Sequence, residues 1–142
     1  MIRQANAEWR GTLKEGAGKL RLGSGMFEGA YSFPSRFENG PGTNPEELIA
    51  AAHAGCFTMA LSLIVSKGSG VTDIRIHTVA KVHLGTSEAG PTLTRIELET
   101  EGRIPGLSEA QFVEYAEQAK RQCLVSRALA AVPTISLKAS LT

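Results

Sequence analysis

The order of periodic segments in the sequence predicts an α+β domain. The first third is rich in glycine between short apolar runs, which is typical of a meander of short strands. A long apolar helix follows, and after it come two segments of alternating apolar and polar residues, a second helix and a final alternating strand. The expected order is β-β-β-α-β-β-α-β, with a long central helix. A length of 142 residues suits one domain over residues 1–142.

Glycine-rich turns place the first three strands. Short runs at residues 7–10, 19–22 and 31–33 have turn-forming residues on either side. Residues 35–38 are expected to end the third strand, because the segment Asn39-Gly40-Pro41-Gly42 directly after them forces a turn.

The central helix has the clearest start signal of the chain. Asn44 is a good N-cap, Pro45 suits the first helical position, and Glu47 stands three residues after the cap. The helix is expected to continue to about Lys67, where Gly68 can close it, which makes it roughly 22 residues and ~33 Å long. Its expected apolar face comprises Leu48, Ile49, Ala52, Cys56, Met59, Ala60, Leu63 and Ile64.

This helix is apolar beyond one face, because few charged residues follow its first turn. One thin sheet cannot cover such a helix in so small a domain. We therefore expect a homodimer, in which a second copy of the chain covers the remaining apolar face.

Alternation and capping signals place the last elements. Residues 71–84 and 93–104 are expected to pair as antiparallel strands, each with one buried face. Ser108 with Gln111 forms a capping box that opens the second helix. That helix is expected to end near Cys123, and a short helix and a final strand complete the chain.

Composition and charge exclude several classes of protein. The 15 Lys and Arg residues nearly balance the 14 Asp and Glu residues, so nothing favours nucleic acid or an anionic membrane surface as a partner. No apolar N-terminal run and no stretch of about 18 apolar residues are found, which predicts a cytoplasmic protein without a membrane span. The two cysteines and three histidines lack the close paired spacing of a metal site.

Cys56 is the first candidate for chemistry. The small residues Ala52, Ala54 and Gly55 clear space around its sulfur, although a cysteine inside a helix is also a common structural residue. Cys56 lies about three turns from the start of the helix, too far for the helix dipole to acidify it. A reactive thiolate here is therefore expected to need a nearby cation, and Arg36 is the candidate.

Three further residues could serve this thiol. Glu46 lies ~15 Å from Cys56 along the helix, so it would act through a bridging Arg36 or from a partner subunit. Its useful role would be to orient the arginine, since a carboxylate beside a thiolate raises the thiol pKa. Cys123 could condense with a sulfenic acid on Cys56, and His53, one turn before Cys56, could pair with it as a base.

The segments that carry these residues resemble the osmotically inducible protein C (OsmC) family. The resemblance rests on Arg36-Phe37-Glu38, on the run from Gly42 to Ser62, and on Ala119-Lys120 with Cys123-Leu124-Val125-Ser126. It implies the OsmC-like fold and an intertwined homodimer with two active sites at the interface. It also implies a thiol-dependent peroxidase of oxidative and osmotic stress defence, which reduces organic hydroperoxides and, less efficiently, hydrogen peroxide.

The resemblance also implies a role for each candidate. Cys56 would be the peroxidatic cysteine and Cys123 the resolving one, Arg36 would activate the thiolate, and Glu46 would hold the arginine, with Glu47 as the alternative. The implied cycle ends with reduction by a dithiol, for which a lipoyl-type dithiol is a candidate. It requires no metal and no organic cofactor.

Two details refine the resemblance. Arg36-Phe37-Glu38 and His53 favour the OsmC branch over the organic hydroperoxide resistance proteins, whose arginine comes from nearer the N-terminus. Many relatives have proline after the second cysteine where this chain has Leu124, so the turn at Cys123 is expected to be less fixed.

Two other functions stay open from the residues alone. One is a cysteine hydrolase that uses Cys56 with His53. The other is a non-catalytic dimer that binds a small apolar ligand in the same cleft. Loss of a thiol pair on addition of peroxide distinguishes the peroxidase from the hydrolase, whereas ordinary, slow alkylation of the cysteines would support the ligand-binding dimer.

Overall fold

The computed structural model describes residues 1–142, which divide into two compact units at residues 1–48 and 49–142. Each unit contains its own three-stranded sheet. The strand order and the mixture of helix and sheet confirm the predicted α+β class. The assignment of the whole chain to one domain stays a prediction.

The first unit is a meander of strands β1 (Ala5–Arg10), β2 (Ala17–Leu22) and β3 (Glu28–Ser32). All pairs are antiparallel, and Gly18 stands opposite both Trp9 and Tyr31. The two aromatic rings approach to 5.1 Å between centroids. A Cβ at Gly18 would lie 2.4 Å from the Tyr31 ring and 2.7 Å from the Trp9 ring, so only glycine permits this contact.

A short helix, α1 (Phe33–Phe37), replaces the predicted end of the third strand. The Ser32 side chain accepts a hydrogen bond from the Ser35 backbone N–H, and the Ser35 side chain accepts one from the Ser32 N–H. This reciprocal cap, with Pro34 in the first turn, starts a helix where the strand pattern would end. The prediction was wrong because five residues are too few to show helical periodicity.

Helix α2 (Pro45–Ser69) starts where the sequence predicts. The Asn44 side chain accepts a 2.8 Å hydrogen bond from the backbone N–H of Glu47, which satisfies one of the free donors of the first turn. The helix continues past Gly68 and stops before Gly70, whose φ of 73° is a left-handed conformation suited to glycine.

The buried face of α2 differs from the predicted one. Phe57, Leu61 and Val65 are fully buried, whereas Met59 and Leu63 are 76% and 54% exposed. Nearly every position of the helix after its first turn is apolar or small, so sequence periodicity could not select the face that enters the core.

By length and composition alone, helix α2 could also cross a membrane. Its best window has a mean hydropathy of 2.0 and is 22% buried. The expectation that the chain has no membrane span stays a prediction. One such helix is weak evidence for a membrane span, since the core helix of a soluble protein passes the same test.

The second unit pairs β4 (Arg75–Ser87) with β5 (Gly90–Arg103) as an antiparallel hairpin, and β6 (Ile135–Leu141) runs parallel to β5. Helix α3 (Glu109–Gln122) begins with the predicted capping box of Ser108 and Gln111, and α4 (Leu124–Ala128) follows it. The core of this unit contains Phe57, Leu61, Val65, Leu98, Ile104, Phe112, Ala116, Ala119 and Cys123.

Candidate active site

The second unit brings the two cysteines together. Helix α2 carries Cys56, which is half-buried, and the junction of α3 and α4 carries Cys123, which is 1% exposed. Both are free thiols, and the side chain of Cys123 hydrogen-bonds that of Cys56. Residues that are far apart in the sequence therefore form one dithiol site.

The chain changes direction at Cys123 without glycine or proline. Its backbone N–H closes α3 by donating to the Ala119 carbonyl at 2.8 Å, and its carbonyl accepts from the Arg127 N–H at 3.0 Å to open α4. Its ψ of 124° is extended, so one residue ends the first helix and begins the second. These backbone hydrogen bonds hold the turn at both ends. The expectation that Leu124 leaves the turn less fixed than the proline of many relatives stays a prediction.

Backbone donors at this junction act on the Cys56 sulfur. Burial raises the pKa of Cys56, but hydrogen bonding from the Val125 N–H, the Cys123 thiol and the Leu124 N–H outweighs it, so the pKa lies below its usual value. For Cys123 the balance is opposite, because burial and the hydrogen bond with Cys56 raise its pKa more than hydrogen bonding from Ser126 and Val125 lowers it. Cys56 is therefore the thiol that ionises more readily.

The Leu124 N–H provides a direct test of this arrangement. Leu124→Pro removes the N–H and should raise the pKa of Cys56, while proline suits the first helical position and preserves α4. Leu124→Ala keeps the N–H and should keep the lowered pKa. Only the thiolate is alkylated, so the alkylation rate of Cys56 falls as the pH drops through its pKa. Mass spectrometry follows the rate of Cys56 alkylation by iodoacetamide across pH. The inflection of this rate profile gives the pKa of Cys56. Coincident profiles for the parent and Leu124→Pro would contradict the assignment.

The first unit brings Arg36 and Glu46 together. Arg36 Nη2 lies 2.8 Å from Glu46 Oε1, and Arg36 Nε lies 3.1 and 3.2 Å from the two carboxylate oxygens. The Glu46 side chain is 10% exposed and the Arg36 side chain 36%. Glu47 instead accepts a 2.7 Å hydrogen bond from the Thr43 hydroxyl, so Glu46 is the carboxylate that holds the arginine. This pair engages the Nε side of the guanidinium and leaves Nη1 for a further acceptor.

An apolar cavity of about 340 Å³ adjoins Arg36 within the first unit. Its aromatic and aliphatic lining comes from Trp9, Leu13, Tyr31, Phe33 and Phe37. The Arg36 guanidinium carbon lies 5.1 Å from the centre of the Phe37 ring, so a cation stands at the edge of an aromatic surface. The cavity can accept a small molecule that has both an apolar and a polar part.

His53 does not pair with Cys56. Its Nε2 lies 2.7 Å from the Ser126 hydroxyl, and its buried Nδ1 has no hydrogen-bond partner. Burial lowers the pKa of His53, which keeps the ring neutral. The hydrolase alternative required His53 to serve as the base for Cys56, and this contact is not formed.

A long helix whose thiol has a lowered pKa, set against a second thiol at a helix junction, defines a cysteine-based redox protein. Residues 38–138 match the family model described as OsmC-like protein. The chain is 42% identical over 134 residues to Peroxiredoxin OsmC of Escherichia coli (strain K12), which covers 94% of this chain and 93% of that protein. The chain therefore belongs to the OsmC-like family, and it is a cysteine-based peroxidase.

Solved structures agree on the fold. The chain resembles an organic hydroperoxide resistance protein OsmC of Legionella pneumophila with a TM-score of 0.71 at 21% identity. The match covers 100% of this chain and 98% of that protein's chain. An OsmC-like protein of unknown function from Vibrio cholerae has a TM-score of 0.72 at 18% identity, with coverage of 100% and 99%. The OsmC-like fold implied by the sequence is thus confirmed.

Proposed function

We propose that this protein reduces organic hydroperoxides, and less efficiently hydrogen peroxide, by a two-cysteine cycle in oxidative and osmotic stress defence. The observation that carries the proposal is the contact between the Cys56 and Cys123 thiols, in which Cys56 has the lowered pKa. A thiolate with a second thiol in hydrogen-bond contact can pass from sulfenic acid to disulfide without a large rearrangement of the site.

The cycle begins with the Cys56 thiolate. Its sulfur attacks one oxygen of the hydroperoxide, the O–O bond breaks, and the leaving alkoxide takes up a proton to become an alcohol, while Cys56 becomes a sulfenic acid. Cys123 then attacks the Cys56 sulfur, the S–O bond breaks, and water leaves as the disulfide forms. No metal or organic cofactor takes part in these steps.

The cavity beside Arg36 supports the proposed substrate class. Its aromatic lining suits a hydrocarbon tail, and the guanidinium suits the peroxide oxygens. In this proposal Arg36 stabilises the Cys56 thiolate, and Glu46 holds the arginine through the bidentate ion pair. The names of relatives such as the organic hydroperoxide resistance protein OsmC of Legionella pneumophila support the same substrate class.

Reduction of the disulfide is directed by the different exposure of its two sulfurs. Cys56 is half-buried and Cys123 is 1% exposed, so an incoming dithiol attacks Cys56 and displaces Cys123. A lipoyl-type dithiol is our candidate for the reductant. We also propose that the protein is a cytoplasmic homodimer, in which a second copy covers exposed apolar residues of α2 such as Met59 and Leu63.

One equivalent of an alkyl hydroperoxide tests the cycle. The fully reduced protein should lose two hydrogens, and mass spectrometry of the digest should show a link between the peptides that carry Cys56 and Cys123. A Cys123→Ser variant should stop at the sulfenic acid on Cys56 after one turnover and be oxidised further by excess peroxide.

The outcome that contradicts the proposal is specific. If the parent protein consumes peroxide but both thiols can still be alkylated afterwards, the two-cysteine cycle is wrong. If peroxide leaves the protein unchanged and is not consumed, the peroxidase assignment itself fails for this substrate class.

A further inference from the structure

A second hydrogen-bonded pair joins helices α2 and α4 close to the two thiols. His53 lies one helical turn before Cys56, and Ser126 lies three residues after Cys123. His53 Nε2 and Ser126 Oγ are 2.7 Å apart, and the residues are 0% and 7% exposed. The His53–Ser126 bond and the Cys56–Cys123 contact therefore join the same two segments, one turn apart. The cycle proposed above leaves this buried pair without a role.

The burial of His53 favours one direction for its hydrogen bond. The ring is neutral, because burial lowers its pKa, and its buried Nδ1 has no partner. Buried N–H groups without an acceptor are rare in proteins, which favours the tautomer that carries its proton on Nε2. In that tautomer His53 donates to Ser126 Oγ, and the Ser126 hydroxyl proton is left for another acceptor.

The acceptor available to Ser126 is the sulfur of Cys123. Cys123 precedes the first residue of α4, and Ser126 occupies the third helical position, which faces the residue before a helix. Burial raises the pKa of Cys123, and hydrogen bonding from both the backbone N–H and the hydroxyl of Ser126 opposes this rise. Ser126 therefore lies beside the sulfur that must ionise in order to form the disulfide.

We propose that His53 and Ser126 form a hydrogen-bond chain that stabilises the thiolate of Cys123 while the disulfide forms. His53 Nε2–H donates to Ser126 Oγ, and Ser126 O–H donates to Cys123 Sγ. Ser126 touches the reacting sulfur, whereas His53 is a positioning residue that orients the hydroxyl. The inference rests on the two-cysteine cycle proposed above.

This hydrogen-bond chain acts on one chemical step, the formation of the disulfide. Cys123 releases its proton to water, its thiolate attacks the sulfur of the Cys56 sulfenic acid, and the S–S bond forms as the S–O bond breaks. The departing hydroxide takes up a proton and becomes water. Without the donors a buried thiolate is scarcer, so the sulfenic acid persists and a second peroxide molecule oxidises it to sulfinic acid. In the reverse sense, the same donors stabilise Cys123 as the leaving thiolate when a dithiol attacks Cys56.

The test separates the two oxidation steps in each protein. Rapid mixing with tert-butyl hydroperoxide, quenching with a thiol-alkylating reagent and mass spectrometry give the rate of Cys56 oxidation and the rate of disulfide formation. Ser126→Ala should slow disulfide formation about 10-fold or more, because hydrogen bonds to charged groups are among the stronger ones. Oxidation of Cys56 should remain close to the parent rate. Ser126→Thr restores the hydroxyl and should recover most of the rate of disulfide formation.

Variants at His53 test its positioning role. His53→Leu removes the donor and should slow disulfide formation, whereas His53→Gln keeps an N–H donor near Nε2 and should recover part of the rate. Thr100→Val is the matched control, since Thr100 is 2% exposed and its hydroxyl bonds to Thr78 rather than to a cysteine. Both steps should be unchanged in Thr100→Val. If His53→Leu does not fold, the Ser126 variants alone decide the question.

Three outcomes separate the explanations. Equal slowing of both steps in Ser126→Ala, or equal behaviour of the alanine and threonine variants, would overturn the inference and leave Ser126 a packing role. If the parent forms the disulfide and Ser126→Ala forms it at the same rate, the hydrogen-bond chain is rejected but the two-cysteine cycle is kept. If the parent forms no disulfide, the two-cysteine cycle and the hydrogen-bond chain are both rejected.

Discussion

Replacement of Cys56 by serine should abolish peroxide consumption. A serine hydroxyl is not ionised at neutral pH and forms no sulfenic acid, so neither oxidation nor disulfide formation can occur. Loss of a catalytic nucleophile typically removes most of the rate enhancement, and we expect a decrease of at least about 10³-fold. The measurement follows the disappearance of an alkyl hydroperoxide in the presence of excess dithiol.

The matched control is Ala60→Ser, which adds a hydroxyl one turn further along α2. Ala60 is half-buried like Cys56, so the control reports the cost of a polar atom on this helix without removing a thiol. It should retain the parent rate, and thermal unfolding should show both variants folded. Undiminished peroxide consumption by Cys56→Ser would remove Cys56 from the mechanism.

Local capping signals explain why much of the fold could be predicted. The Asn44 cap and the Ser108–Gln111 capping box involve residues three apart, and their hydrogen bonds form in the structure as the sequence indicates. The two long strands alternate over enough residues to reveal their period and pair as expected. Helix α1 could not be predicted in the same way, because a single turn is set by its reciprocal Ser32–Ser35 cap rather than by a repeating pattern.

The orientation of α2 shows the limit of sequence patterning. Phe57 and Met59 are both apolar and two positions apart, yet one is fully buried and the other 76% exposed. When a helix is apolar on almost every side, its sequence does not indicate which face is buried. Contacts with distant segments make the choice, as the burial of His53 against Ser126 shows.

The side chains of the site could be predicted from the sequence, but the backbone groups that act on them could not. The sequence indicates a dithiol of Cys56 and Cys123, but the donors that lower the pKa of Cys56 include the N–H groups of Leu124 and Val125. Every residue except proline has such an N–H, so no sequence pattern announces it. The expectation that only a cation could lower this pKa is thereby corrected, and the contribution of Arg36 stays a prediction.

Arg36→Ala should slow the reaction of Cys56 with hydroperoxide on the order of 100-fold, as expected for loss of a charged donor at a reacting centre. The guanidinium is proposed to stabilise both the thiolate and the negative charge that develops on the leaving oxygen. Arg36→Lys should recover only part of the rate, because an ammonium group cannot reproduce the bidentate contact with Glu46. Rapid-mixing measurement of the first oxidation step tests this directly.

Two controls separate catalysis from stability in this experiment. Glu46 is 10% exposed, so Arg36→Ala leaves a largely buried carboxylate without its partner and also destabilises the fold. The double variant Arg36→Ala/Glu46→Gln removes that unpaired charge and should regain stability without regaining rate. Arg10→Ala breaks an exposed ion pair with Glu8 in the same unit. It should change neither the stability of the protein nor the rate of Cys56 oxidation. Normal oxidation kinetics in the double variant would reject the role of Arg36.

Mixed oligomers then show which chain supplies the arginine to a given thiol. Cys56→Ser retains Arg36, and Arg36→Ala retains Cys56, so each variant alone lacks one part of the proposed site. If thiol and arginine come from different copies of the proposed homodimer, unfolding and refolding the two variants together should restore activity well above either alone. If both come from one chain, the mixture should show no more than the sum of the separate activities. Either result assigns the arginine, whereas full activity of Arg36→Ala alone would show that Cys56 needs no guanidinium beyond the backbone donors of Leu124 and Val125.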